Sequence, residues 1–202
     1  MATYTDALTG TGALGSNWTV TSPADWQRSA SGALQVQTTG TYRKAAYTGG
    51  AMDSNDYRVE ATIAYDSEEF YGHGVAARWA SGGTVTCYAL VRFANEVYWL
   101  EITAGAETTV ALVSTPGTGS VTLRLEVEGT TIRSYVNGTL VDTRTDASLA
   151  SGPPGLIAYG GNTAGAGNTT YATNWSAEDL APPAAGSLLI PTRRMPQAIL
   201  AR

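Results

Sequence analysis

The sequence predicts an all-β protein made of two packed antiparallel sheets, and three observations carry that prediction. Strand-length segments alternate apolar and polar residues, turn residues recur between them at nearly regular spacing, and no segment offers a good helix. Composition agrees: glycine supplies 23 of 202 residues, charged residues are only 14%, and Leu, Lys and Glu are too sparse for long helices.

Taken in order, residues 7–42 hold short pieces broken by Gly, Ser and Pro, among them Leu14-Gly15-Ser16-Asn17-Trp18, Asp25-Trp26 and Gly32-Ala33-Leu34-Gln35-Val36. Residues 57–65 set Val59, Ala61 and Ile63 against Arg58, Glu60 and Thr62, the period-two pattern of a half-buried strand. Residues 74–79 and 85–93 are the next strands, parted by Ser81-Gly82-Gly83; 97–103 and 108–113 follow, parted by a turn at Ala104-Gly105. The clearest stretch is 121–141. Val121, Leu123, Leu125 and Val127 alternate with Thr122, Arg124, Glu126 and Glu128; Gly129 turns the chain into 131–136, and Asn137-Gly138 suits a two-residue type I′ hairpin because both residues accept positive φ. Such a meander is stable only with a second layer on its apolar face. Gly152-Pro153-Pro154-Gly155 breaks the chain before 156–159, and a glycine-rich loop, 160–167, leads to a last strand over 170–177. About a dozen strands so spaced describe a two-sheet antiparallel jelly-roll sandwich over 1–180. Residues 181–186 read as a Pro/Ala/Gly linker, and 187–202 as an extended C-terminal arm.

Charge and composition exclude several functions. A net charge of −5 with no basic patch over the body speaks against nucleic acid. No apolar run is long enough to span a membrane. The single cysteine, Cys87, lies in an apolar strand, where a buried inert thiol is the commoner role. Residues 1–6 carry neither the basic nor the apolar stretch of a secretory signal, so the expected product is cytosolic.

Several pieces, in this order and spacing, resemble the concanavalin A-like lectin/glucanase jelly rolls, in particular laminin-G-like modules of bacterial and phage proteins. They are Leu14-Gly15-Ser16-Asn17-Trp18, Gly32-Ala33-Leu34, Asp56-Tyr57, Gly74-Val75-Ala76-Ala77-Arg78 and Tyr88-Ala89-Leu90, then Leu123-Arg124-Leu125, Tyr135-Val136-Asn137-Gly138, Gly152-Pro153-Pro154-Gly155-Leu156 and Asn174-Trp175-Ser176-Ala177. The resemblance covers about the first 180 residues. It implies the fold, while the family spans enzymes, lectins and structural modules. Its glycosidases carry two Glu around an Asp on one strand. That motif is missing here; Glu126 and Glu128 share their face with Arg124 and read as a solvated outer surface, and Glu68-Glu69 read as loop charges. No catalytic residue is expected, and no cofactor. Calcium is the metal the resemblance brings into view, with Asp53, Asn55 and Asp56 as its oxygen-rich candidates. Thr173-Asn174-Trp175 stands where many relatives have an acidic pair, which removes one expected ligand. Sugar binding needs aromatic faces for stacking and planar polar groups for hydroxyls. The resemblance assigns Arg78, Tyr88 and Arg92 to the concave sheet, with Tyr71, Trp79, Tyr98 and Trp99 near enough in sequence to line the same region. His73, the only histidine, stands at a strand start as a rim candidate.

The arm differs in kind from the body. Pro191 and Pro196 forbid a continuous helix, Leu188, Leu189, Ile190, Ile199 and Leu200 are apolar, and Arg193, Arg194 and Arg202 face no acid after Asp179. The expectation is an extended anchor on a protein partner. A lectin-like body without an export signal suggests a non-enzymatic virion protein, a capsid decoration or tail-associated subunit docked on other virion proteins by its arm and displaying a glycan-reading jelly roll. The alternative is a carbohydrate-binding module of a secreted, extracellular enzyme or adhesin, and a third reading is a divergent glycosidase.

Overall fold

The structure, a computed structural model, describes residues 1–20, 26–28, 34–36, 41–64, 72–82, 84–160 and 171–181, with the backbone alone at 34–36. Sixteen strands and no helix occur among the described residues. The first eight are β1 (Thr3–Asp6), β2 (Gly12–Ala13), β3 (Trp18–Val20), β4 (Trp26–Arg28), β5 (Leu34–Val36), β6 (Tyr42–Tyr47), β7 (Tyr57–Ile63) and β8 (Gly72–Ala77). The rest are β9 (Cys87–Phe93), β10 (Glu96–Thr103), β11 (Ala106–Ser114), β12 (Val121–Glu128), β13 (Thr131–Val136), β14 (Thr139–Thr145), β15 (Gly155–Tyr159) and β16 (Ala172–Asp179).

They form two antiparallel sheets packed as a sandwich. A nine-stranded sheet runs β14-β13-β12-β7-β16-β5-β4-β2, with β1 added on β16; a seven-stranded sheet runs β11-β10-β9-β8-β15-β6-β3. The meander forms as expected. Leu125 lies opposite Ser134 and Val59, and Asn137 and Gly138 take φ of 50° and 78°, both positive as a type I′ turn requires. Ala104 and Gly105 repeat the device, at 52° and 85°, between β10 and β11.

The core lies between the sheets. Leu123, Leu125 and Val127 of β12 and Val59, Ala61 and Ile63 of β7 pack against Val75 and Ala77 of β8 and Tyr88 and Leu90 of β9. Trp175 joins the layers at one end, its ring 4.9 Å from that of Trp18 and 4.8 Å from that of Tyr47. The amino-terminal strand is pinned by a polar knot: Asp6 accepts both Arg28 guanidinium nitrogens at 2.9 and 2.7 Å, the Trp18 indole N–H at 2.8 Å and the Leu8 amide at 2.8 Å. Burial alone would raise the Asp6 pKa; these donors outweigh it and hold it below the usual carboxylate value.

Candidate functional site

The seven-stranded sheet has two apolar faces. Along β9, Tyr88 and Leu90 point to the core, while Cys87, Ala89 and Val91 belong to a second cluster that, among the described residues, takes none from the nine-stranded sheet. That cluster includes Tyr42 and Ala46 of β6, Ala76 of β8, Leu100 and Ile102 of β10 and Ile157 of β15, with Trp79 from the segment after β8. At the Trp79 end, the buried Lys44 ammonium lies 5.3 Å from the ring and donates to the Ala80 carbonyl at 2.9 Å. Burial lowers its pKa.

At the opposite end the same face opens into a cleft of about 440 Å³ between Tyr42 and the β9-β10-β11 edge. Its wall is aromatic. Tyr42 and Tyr159 pack at 4.9 Å between ring centroids, and Phe93 lies 5.9 Å from Tyr159 and 6.0 Å from Tyr98. Gly72 makes room for this, since a Cβ there would fall 2.4 Å from the Phe93 ring. Ala94, Leu100 and Val110 add to the apolar lining, and Val110 is 50% exposed. The polar lining is Asn95, Glu96 and Glu107. The Tyr42 hydroxyl donates to Glu107 and the Tyr98 hydroxyl to Glu96. Burial, then the Glu107 contact, drives the Tyr42 pKa upward, so this phenol stays a donor. The result is an open apolar trough with carboxylate acceptors at its rim, suited to a ligand with both a flat apolar face and hydroxyl or amine donors.

Of the residues singled out from sequence, Tyr98 lines this cleft. Tyr71 and the arm residues 187–202 lie outside the described residues. Tyr88, Arg92 and Trp99, expected on a concave ligand face, are at most 2% exposed and share the strand parity that faces the other sheet. The Tyr88 ring stacks on Trp99 at 6.0 Å, with the Arg144 guanidinium 4.4 Å over Trp99. The Tyr88 hydroxyl donates to Asp146 at 2.6 Å and accepts from the Leu149 amide; burial, then Asp146, pushes it up to about 12. Arg92 donates to the carbonyls of Ala94, Gly117 and Gly119, tying the segment after β11 to the sheet. His73 is buried on the same side, opposite Arg92 and Ala158.

Arg78 stands apart from the cleft as well. It closes β8 with φ of 54° and lines a second cavity of about 440 Å³ at the end of the sandwich with Ser54, Asp56, Gly129 and Leu149. Its guanidinium donates to the carbonyls of Leu149 at 2.9 Å and Asn55 at 3.3 Å and lies 3.7 Å from Asp56. The amide of Arg78 donates to the buried Tyr57 hydroxyl, which donates to the Gly152 carbonyl at 2.8 Å.

The calcium candidates face positive partners. Asp53 pairs with the amino terminus at 3.0 Å, Asp56 accepts the Gly129 amide at 2.7 Å beside Arg78, and Asn55 offers its carbonyl to Arg78. The nearby Asp179 carboxylate accepts the amides of Ala2, Asp53 and Ser54. Among the described residues no group of three or more His, Cys, Asp or Glu side chains is placed to hold a metal ion.

Sequence reasoning missed Tyr42, Phe93, Asn95, Glu96, Leu100, Glu107 and Val110. A signal was there: Phe93, Glu96, Tyr98 and Leu100 sit on one side of the β9-β10 hairpin, as its register shows.

No family model matches the sequence, and no curated relative does. Its fold does have solved counterparts. A carbohydrate binding module, CBM66 from Bacillus subtilis, superposes with a TM-score of 0.60 at 16% identity, covering 86% of this chain and 97% of that one. An apo Crh5 transglycosylase gives 0.61 at 15% over 90% of this chain and 86% of that one. A Bacillus licheniformis beta-glucanase gives 0.55 at 11% over 90% of this chain and 99% of that one. The chain therefore has the concanavalin A-like lectin/glucanase jelly-roll fold, and these identities speak to fold alone.

Proposed function

We propose that this chain is a carbohydrate-binding module that holds a glycan segment in the cleft on the outer face of the seven-stranded sheet, without cleaving it. The carrying observation is the cleft itself: the rings of Phe93 and Tyr98 are half-buried beside the Glu96 and Glu107 carboxylates. A pyranose presents an apolar C–H face and equatorial hydroxyls, and this wall answers both. The likeness to a module named for carbohydrate binding supports the reading. So does the absence from the sequence of the single-strand carboxylate motif of the fold's glycosidases.

Glu126 and Glu128 lend no support to hydrolysis. They lie on the outer face of the nine-stranded sheet, Glu126 with Tyr135 at 2.8 Å and Arg124 at 3.3 Å, Glu128 with Arg133 at 2.8 Å. The similar structures favour the carbohydrate module over the virion role suggested by the sequence, which rests on an arm outside the described residues.

Calorimetric titration of the intact protein against neutral, basic and acidic oligosaccharides tests the proposal. Binding that weakens about tenfold in each of Phe93→Ala and Tyr98→Ala, with circular dichroism unchanged, is the expected result. Absence of binding across the panel, or equal binding by both variants, overturns it.

A further inference from the structure

Among the described residues the cleft has one sign of charge. Glu96 and Glu107 are, among the described residues, its only ionisable groups besides the two tyrosines, and no Lys, Arg or His of that set lines it. Neither glutamate is ion-paired among the described residues; each takes one hydrogen bond from a tyrosine hydroxyl. An ionised carboxylate has about four acceptor positions. One on each is filled by its tyrosine, so what remains accepts hydrogen bonds and repels negative charge. Glu107 and Val110 are exposed on the edge strand β11, so the acceptors lie where a ligand enters.

Resting on the carbohydrate-binding reading, we infer that the cleft selects glycans carrying free amino groups and rejects those carrying carboxylate or sulfate. An ammonium on the sugar ring meets the rim carboxylates in charge-assisted hydrogen bonds while the ring stacks on Phe93 and Tyr98. N-acetylation removes the positive charge and adds bulk at the same atom. A uronic acid places like charges together in a site whose described lining holds no cation to offset them. The neutral sugar face is common to all three ligands, so the carboxylates govern the choice among them while the aromatic wall governs whether any binds.

The test is titration of the full chain with hexamers of glucosamine, N-acetylglucosamine and galacturonate, at low and at moderate salt. The expected result is binding of the glucosamine hexamer about tenfold tighter than of the N-acetyl hexamer, with none of the galacturonate. Raising the salt narrows the gap. In Glu96→Gln, Glu107→Gln and the double variant, shape is kept and charge removed; the preference falls towards unity while N-acetylglucosamine binding persists. Equal or tighter binding of the neutral or acidic hexamer overturns the selectivity and leaves the carbohydrate reading standing. A preference for the amine that survives in the double variant also overturns it, because the charge would then be read elsewhere on this acidic protein. Failure of all three hexamers overturns both.

Discussion

The two sheets differ in the faces they turn away from the shared core. On the nine-stranded sheet the outer face is a lattice of charges that satisfy one another: Arg58 with Glu178 at 2.8 Å, Arg133 with Glu128, and Arg124 beside Glu126 and 3.9 Å over the Tyr135 ring. The outer face of the seven-stranded sheet is apolar, with Ala76, Ala89, Val91 and Ile157 at 0% exposure. An antiparallel sheet needs only one buried face. This one is apolar and buried on both, and its far side ends in the aromatic cleft. The difference locates the cleft: the solvated face carries paired charges, and the apolar face opens at one end beside the half-buried rings of Phe93 and Tyr98.

Breaking the contrast begins in the core. Trp99→Ala and Tyr88→Ala each cost about 3–5 kcal/mol, measured by urea denaturation, because the rings fill the space between the sheets. Loss of glycan binding in either variant at full stability would move the site to the inner face. Next in size is the Asp6 knot. Asp6→Asn costs about 2 kcal/mol, the value of hydrogen bonds to a charged group. Because the folded pKa is depressed, the carboxylate's contribution is fully present above the unfolded value of about 3.9 and is lost as pH falls through the folded value. The acid limb of the wild-type stability profile should therefore be steeper than that of Asp6→Asn; identical limbs would show that Arg28 and Trp18 do not hold the ionised form.

Smaller effects sharpen the contrast. Tyr98→Ala weakens glycan binding about tenfold, the loss of one aromatic contact of roughly 1.4 kcal/mol, with an unfolding midpoint close to wild type. A large drop in stability instead would make Tyr98 a core residue like its neighbour Trp99. Smallest is Glu128→Gln on the charged face, which shifts stability by less than about 1 kcal/mol and leaves binding untouched. A binding defect there would mean that the solvated face is not idle.

How much of this was legible depended on contrast along each strand. In β12, Leu123, Leu125 and Val127 are buried and Arg124, Glu126 and Glu128 half-buried, so the period of two reported both strand and facing. The Asn137-Gly138 and Ala104-Gly105 turns were equally plain, because few residues accept their φ. Strand β6, Tyr42–Tyr47, was not legible: Arg43 and Lys44 interrupt it, and Lys44 is buried with its charge led out to the Ala80 carbonyl. The cleft was hidden for a related reason. In β9 both parities are apolar and buried, so the pattern that marks one strand face elsewhere marks none here. Tyr98 and Trp99 are adjacent aromatics on opposite sides of one sheet, and only the register with β9 says which is which. Glu96 and Glu107 are eleven positions apart in the chain, brought to one rim only by the β10-β11 hairpin and the packing of Tyr42 against it.

The most direct measurement is amide chemical-shift mapping of the intact protein during titration with the tightest-binding oligosaccharide. The account predicts perturbations gathered at Tyr42, Phe93 to Tyr98 and Glu107 to Val110, with Glu126, Arg133 and Tyr135 silent. Perturbations centred on the Arg78 cavity or on the charged face of the nine-stranded sheet would contradict it.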